Sequence, residues 1–131
     1  MSKYTNVMKA LSEEKRFKLF AVLLKAMGEF YVCEITDALS ESQYNISKYL
    51  KELKNAGLVK DKRFGKGILY SVVEPDSQFI RSLYDAISSI EDDEINRTVE
   101  LLKMRASVRD ENKCISIVQK VINKNKIENG R

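Results

Sequence analysis

The residues of this sequence best suited to chemistry are basic and short polar side chains concentrated between residues 42 and 67. Seven lysines and arginines stand there against two acids, so these 26 residues carry +5, whereas the whole chain carries +4. Lysine and arginine neutralise phosphates, and hydroxyl and amide groups bond to base edges. The candidate DNA-binding residues are Ser42, Gln43, Tyr44, Asn45, Ser47, Lys48, Lys51, Arg63 and Lys66. The pattern predicts a surface for nucleic acid, with duplex DNA ahead of RNA; the alternative is a solvated helix face.

Two cysteines, Cys33 and Cys114, are the other reactive groups. Cys33 is predicted at a helix start, where the helix dipole favours the thiolate. We treat both as candidate sensor thiols that oxidation, persulfidation or As(III) would join if their separation allows. The alternative is that both are small, semi-buried apolar residues. Two thiols fall short of a four-cysteine zinc site, so we predict no metal site and no cofactor, although a soft metal or metalloid has two possible ligands here.

The sequence contains no histidine. This excludes a Ser-His-Asp triad, a Cys-His dyad and an imidazole proton shuttle. No phosphate-binding loop or pairing of a nucleophile with a base is visible either, so we predict that the protein is not an enzyme. The longest apolar run, Leu19 to Leu24, has six residues, far below the ~20 that span a bilayer. We expect a cytoplasmic protein with no membrane partner.

The elements that must position these groups follow from the spacing of apolar residues. Ser12 is predicted to be the N-cap of a first long helix, and Gly28 to end that helix. The next elements are a short helix over Cys33–Leu39, a helix over Gln43–Ala56 capped by Ser42, and strands over Leu58–Phe64 and Ile68–Val73 around a Gly65-Lys66-Gly67 tip. The predicted class is mainly α with a small β-hairpin, in the order of a winged helix-turn-helix.

After Pro75 the chain is predicted to be helical again. Apolar stripes recur along Phe79–Ile90, along Ile95–Ala106 and, more weakly, along Ile115–Ile122. Residues 1–90 are predicted to form the winged domain with an N-terminal dimerisation helix, and residues 91–131 a dimer-associated helical extension of the same compact unit. Surplus apolar faces near a chain end commonly form a symmetric dimer, so we expect a homodimer.

Four segments of the chain resemble the arsenic-repressor (ArsR/SmtB) family. They are residues 11–20 (LSEEKRFKLF), 28–35 (GEFYVCEI), 42–50 (SQYNISKYL) and 55–59 (NAGLV), and the likeness continues through the hairpin to Tyr70-Ser71-Val72. The resemblance covers about residues 4–90. It implies a homodimeric winged-helix repressor that releases its operator DNA when an inducer binds. It also implies that Ser42, Gln43, Asn45, Ser47 and Lys48 lie on the recognition helix and that the first and last helices pair the subunits.

The chain departs from this family at its inducer sites. The family's arsenite and cadmium sensors have Cys-Val-Cys where this chain has Tyr31-Val32-Cys33, and its zinc and nickel sensors use histidine. Tyr49 also replaces the histidine usual near the end of the recognition motif. The prediction is therefore a homodimeric repressor with an unidentified inducer, for which a thiol-reactive species or As(III) at Cys33 and Cys114 is a candidate. A winged-helix protein-interaction module without sequence-specific DNA binding is the alternative.

Overall fold

The computed structural model describes residues 1–109. Cys114 and the predicted stripe over Ile115–Ile122 lie outside these described residues. The described elements are α1 (Ser2–Ala10), α2 (Glu14–Ala26), β1 (Phe30–Tyr31), α3 (Val32–Leu39), α4 (Gln43–Asn55), β2 (Val59–Phe64), β3 (Gly67–Val72), α5 (Gln78–Ser88) and α6 (Asp93–Ser107). This mainly helical order with a small antiparallel sheet confirms the predicted winged helix-turn-helix.

The start of α2 differs from the prediction. Glu13, and not Ser12, is the N-cap, and its carboxylate accepts hydrogen bonds from the backbone N–H groups of Lys15 and Arg16. The Ser12 hydroxyl instead donates to the carbonyl of Lys9 at the end of α1 (2.8 Å). A carboxylate caps a helix as well as a hydroxyl does and adds charge at the positive end of the dipole. The one-residue displacement therefore leaves the helix itself as predicted.

Helix α4 is fixed by its inward face. Ile46, Leu50 and Leu53 are fully buried against the core, at the i, i+4, i+7 spacing that predicts one face of a helix. The Ser42 hydroxyl caps α4 by accepting from the backbone N–H of Asn45 (3.1 Å), as predicted. Gly57, with a φ of +79°, ends the helix at a conformation that favours glycine.

Residues 1–109 form a sheet of three strands in the order β1-β3-β2, with both pairs antiparallel. Strands β2 and β3 form the predicted hairpin, in which Phe64 pairs with Gly67 across a Gly65-Lys66 turn, so Gly67 belongs to β3 and not to the tip. Strand β1 was not predicted, because two residues carry no detectable period. It joins the segment before α3 to the hairpin through the pairs Phe30–Tyr70 and Tyr31–Leu69.

Helix α5 is anchored to the core through Tyr84. Its ring packs beside Phe20 at 5.5 Å between centroids, and its hydroxyl donates to the carbonyl of Val73 (2.9 Å). Burial, with the nearby charges of Asp76 and Glu74, raises the pKa of Tyr84 to about 12. This contact holds the segment after the hairpin against the body.

Helix α6 packs against α2 and α3 of its own chain. Ile95, Val99 and Leu102 of the predicted stripe are buried in the same core as α2 and α4, and Asp92 caps the helix by accepting from the backbone N–H of Ile95 (2.9 Å). The described part of the predicted extension is thus an integral part of the fold. No helix within residues 1–109 is long and apolar enough to cross a membrane.

We expect Leu102→Ala to lower the free energy of unfolding by about 2–5 kcal/mol, because it removes a fully buried side chain and leaves a cavity. The adjacent Leu101 is 44% exposed, so Leu101→Ala is the matched control and should change stability by no more than about 0.5 kcal/mol. Urea denaturation followed by circular dichroism measures both. Equal effects of the two variants would contradict the packing of α6 on α2 and α3.

Candidate nucleic-acid interface

Helices α3 and α4 form the two arms of a helix-turn-helix. Ser40 ends α3 in a left-handed conformation (φ +53°), and the backbone N–H of Glu41 donates to the carbonyl of Thr36 (3.3 Å). Ser42 then begins α4 as its N-cap. Because the turn is only three residues long and the inner face of α4 is buried, the opposite face of α4 must point away from the body.

The outward face of α4 carries the candidate residues in two adjacent rows. Gln43, Ser47 and Lys51 follow one another at intervals of four, and Tyr44 and Lys48 form the neighbouring row, so each row lies on one side of the helix. Of the predicted residues in α4 and at its N-cap, Asn45 is half-buried and the others are exposed: Ser42, Gln43, Tyr44, Ser47, Lys48 and Lys51. Tyr44 is 75% exposed. Tyr49, in contrast, packs against the core.

Asn45 is held by an acidic partner that the sequence did not indicate. Its amide Nδ2 donates to Glu41 Oε1 (2.9 Å), which also accepts from the backbone N–H of Ser42 (3.3 Å). Lys15 of α2 lies 3.4 Å from the other oxygen of Glu41. The amide of Asn45, the backbone of Ser42 and the charge of Lys15 together hold the pKa of Glu41 below its usual range. Glu41 thus fixes the orientation of one candidate base-contacting side chain.

The hairpin presents its basic side chains at the tip. Arg63 and Lys66 are exposed, and Phe64 between them is 56% exposed. Lys62 pairs with Glu29 (3.1 Å) and Lys54 with Asp61 (3.0 Å). Five of the seven bases between residues 42 and 67 have no carboxylate partner within the described residues: Lys48, Lys51, Lys60, Arg63 and Lys66.

A buried cluster of charged groups, which the sequence analysis did not predict, lies between α3 and α6. Glu34 and Arg105 are each 1% exposed. Arg105 Nε donates to Asp37 Oδ2 (2.8 Å), and its Nη1 lies 3.9 Å from Glu34 Oε2. Arg109 donates to both oxygens of Glu34 at 2.7 Å. These residues were missed because charged side chains are rarely buried and their partners lie about 70 residues apart in sequence.

Cys33 borders this charged cluster. It is the second residue of α3, as predicted for a thiol at a helix start, and Arg105 Nη2 donates to its Sγ at 3.6 Å. Cys114 lies outside the described residues. Within residues 1–109, no group of three or more cysteine, aspartate or glutamate side chains is arranged to hold a metal ion.

Comparison with known proteins identifies the arrangement. Residues 13–61, from the N-cap of α2 to the start of β2, match the family described as "Bacterial regulatory protein, arsR family". The chain belongs to this family. It is 33% identical over 90 residues to an uncharacterised HTH-type transcriptional regulator of Methanocaldococcus jannaschii, an alignment covering 66% of this chain and all of that protein. Proteins of the arsR family are DNA-binding transcriptional regulators rather than enzymes.

Other similar proteins are described as arsenic or cadmium resistance regulators or as a DNA-binding domain. The chain is 38% identical over 65 residues to the arsenic resistance transcriptional regulator ArsR2 of Pseudomonas putida, covering 50% of this chain. It spans 56–62% of the length of that regulator and of two other arsenic and cadmium resistance regulators. A homodimeric winged helix-turn-helix DNA-binding domain from Mycobacterium bovis, a possible ArsR-family regulator, superposes with a TM-score of 0.55 at 26% identity. That superposition covers 66% of this chain and 75% of the other.

We expect Asn45→Ala to raise the pKa of Glu41 towards its usual value, because the amide of Asn45 is the largest cause of its depression. Carboxyl-carbon NMR titration between pH 2 and 7 measures the change. A carboxylate with a lowered pKa stabilises the fold above its unfolded pKa and loses that contribution as the pH falls through the folded value. Ser47→Ala, an exposed hydroxyl on the same helix, is the control. An unchanged Glu41 titration in Asn45→Ala would contradict this hydrogen bond.

Proposed function

We propose that the protein is a DNA-binding transcriptional repressor that acts as a homodimer on a pseudo-palindromic operator. The observation that carries the proposal is the outward face of α4. It combines amide, hydroxyl and phenol groups with two lysines that lack a carboxylate partner within residues 1–109. A helix of this composition suits the major groove, where side chains contact base edges while lysines contact the flanking phosphates.

The hairpin extends the proposed contact. Arg63 and Lys66 stand at its exposed tip, where they would reach the DNA backbone or an adjacent minor groove. Arginine in a minor groove contributes affinity that depends on groove width, and lysine near phosphates contributes affinity that does not depend on sequence. In this proposal α4 supplies sequence choice and the hairpin supplies additional affinity.

A shared surface of α1 and α5 supports the homodimer. Tyr4 and Phe79 pack edge to face across these two helices, 5.1 Å between ring centroids, and both are partly exposed together with Met8. Lys3 and Asp76 form an ion pair beside them (2.7 Å). The homodimeric state of the M. bovis domain favours the same assembly here. Two copies would then present their α4 helices to successive major grooves, roughly 34 Å apart.

The proposed release mechanism depends on this spacing. An inducer that binds one arrangement of the dimer better than the other shifts the population towards it. If that arrangement moves the two α4 helices out of register with the operator, both half-sites cannot be engaged together, and affinity falls. We propose that the inducer is a thiol-reactive species or As(III) acting at Cys33 and Cys114. The position of Cys33 at the start of α3 and the Arg105 contact at its sulfur support a responsive thiol at this position.

We expect Lys48→Ala to weaken binding to all duplexes and to lower the slope of log affinity against log salt by about one unit, because one phosphate contact is lost. The duplexes are an operator selected by the wild type from a random library and a scrambled copy. Sedimentation should find two chains on each operator. Lys103→Ala, which removes an exposed lysine of α6, is the control. Absence of duplex binding by the wild type at low salt would favour the protein-interaction module instead.

We expect Cys33→Ser and Cys114→Ser each to abolish the release of operator that an oxidant, a persulfide donor or arsenite causes in the wild type. Fluorescence anisotropy of a labelled operator follows release, and a reducing agent should restore binding after oxidation. Both variants should bind operator as the reduced wild type does, which provides the internal control. If both variants still release operator as the wild type does, the thiol mechanism is wrong, whereas the proposed repressor function is unaffected.

A further inference from the structure

Arg109 connects the end of α6 to the segment around β1, the strand that pairs with the hairpin. Its Nη2 donates to the carbonyl of Glu29 (2.9 Å), and its guanidinium lies 5.0 Å from the ring centroid of Tyr31. Its two 2.7 Å hydrogen bonds to Glu34 make a bidentate, charge-assisted pair, the strongest type available to arginine. Glu34 raises the pKa of Arg109 above its usual value. One side chain thus contacts three consecutive parts of the chain around β1.

Glu34 links Arg109 to Tyr31. Its Oε1 accepts from the backbone N–H of Tyr31 (3.0 Å) as well as from Arg109. Because the carboxylate is buried, losing either donor would leave its charge less well compensated, which is costly in a low-dielectric interior. The position of Tyr31 is therefore tied to the end of α6.

Tyr31 in turn holds the hairpin. Its backbone pairs with Leu69 in β3, and its hydroxyl donates to the carbonyl of Phe64 next to the tip (3.3 Å). Its ring lies so close to Gly67 that a Cβ there would come within 2.9 Å. The ion pair of Glu29 with Lys62 adds a further link between the β1 segment and β2. Since β1 has only two residues, these side-chain contacts add to the few backbone pairs that join it to the hairpin.

We propose that Arg109 is a positioning residue for the hairpin: through Glu34 and Tyr31 it holds Arg63 and Lys66 at the angle from which they reach DNA. Docking of α6 on α3 thereby sets the hairpin's contribution to operator affinity. This inference rests on the hairpin contact of the proposed function. Cys33 and Arg105 border the same cluster, so the sulfur of Cys33 is linked to the hairpin through three side chains, those of Arg105, Glu34 and Tyr31.

The experiment compares Arg109→Ala in two backgrounds, the wild type and an Arg63→Ala/Lys66→Ala double variant. In the wild type it should lower operator affinity roughly tenfold, the size of one lost charge-assisted contact, and reduce the salt slope by up to about two units. In the double variant it should cause no further loss. Arg97→Ala removes the same charge from an exposed position of α6 and should leave both quantities unchanged.

Tyr31→Phe tests the same link without exposing the Glu34 carboxylate, should Arg109→Ala not fold. It removes only the hydroxyl that bonds to Phe64, and should speed amide exchange at the hairpin tip and reduce affinity severalfold. Tyr70→Phe, on β3, removes a hydroxyl that makes no hydrogen bond within residues 1–109 and is its control. The exchange measurement needs no DNA, so it reports on the hairpin alone.

The outcomes separate the inference from the proposed function. An equal loss of affinity in both backgrounds, or no change in exchange and affinity in either variant, overturns the inference and leaves the repressor intact. If the Arg63→Ala/Lys66→Ala variant binds operator as tightly as the wild type, the hairpin does not contact DNA, and that part of the proposed function fails together with the inference. If Arg109→Ala lowers operator affinity only in the wild-type background, the result supports both the inference and the proposed contact of the hairpin with DNA.

Discussion

The buried carboxylate of Glu34 is the constraint on which the arrangement of the helix-turn-helix depends. A charge removed from water must be matched by donors in good geometry, or the fold that buries it is lost. Its partners come from separate parts of the chain: the backbone N–H of Tyr31 before α3 and the guanidinium of Arg109 after α6 donate to it, and Arg105 in α6 forms an ion pair with it. The burial of Glu34 on α3 therefore depends on α6 lying against that helix. Asp37, on the next turn of α3, accepts a hydrogen bond from Arg105 and so compensates the buried charge of that guanidinium.

Once α3 is held from one side by α6, α4 has little freedom. The turn between them spans three residues, and the apolar face of α4 must meet the core that α2 and α6 share. The same burial that stabilises α4 leaves its polar face towards solvent, with side chains at intervals of four forming parallel rows. Stability and recognition thus occupy opposite faces of one helix, and substitutions on one face need not disturb the other.

The elements that the sequence predicted correctly are those whose apolar residues repeat within a single element. The period of α4, its Ser42 cap and the two hairpin strands all depend on neighbours close in sequence. The features it missed need distant partners: β1 exists because β3 lies beside it, and Glu34 is buried because Arg109 reaches it from 75 residues away. The N-cap of α2 was predicted one residue too early, at Ser12, because the side chains of Ser12 and Glu13 can both accept hydrogen bonds from a helix start. A hydrophobic pattern therefore locates the elements, whereas polar contacts between them decide the detail of the site.

Charge illustrates the same distinction. The count of +5 between residues 42 and 67 treats every base alike, but Lys54 and Lys62 are paired with Asp61 and Glu29. Both pairs tie the hairpin to its neighbours, so these lysines orient the basic surface instead of extending it. In the proposed complex, counterion release would come from the remaining five bases of each chain, and exposed ion pairs contribute little stability on their own. The sequence concentrates positive charge, and the fold divides it between side chains that hold the hairpin and side chains left for phosphate.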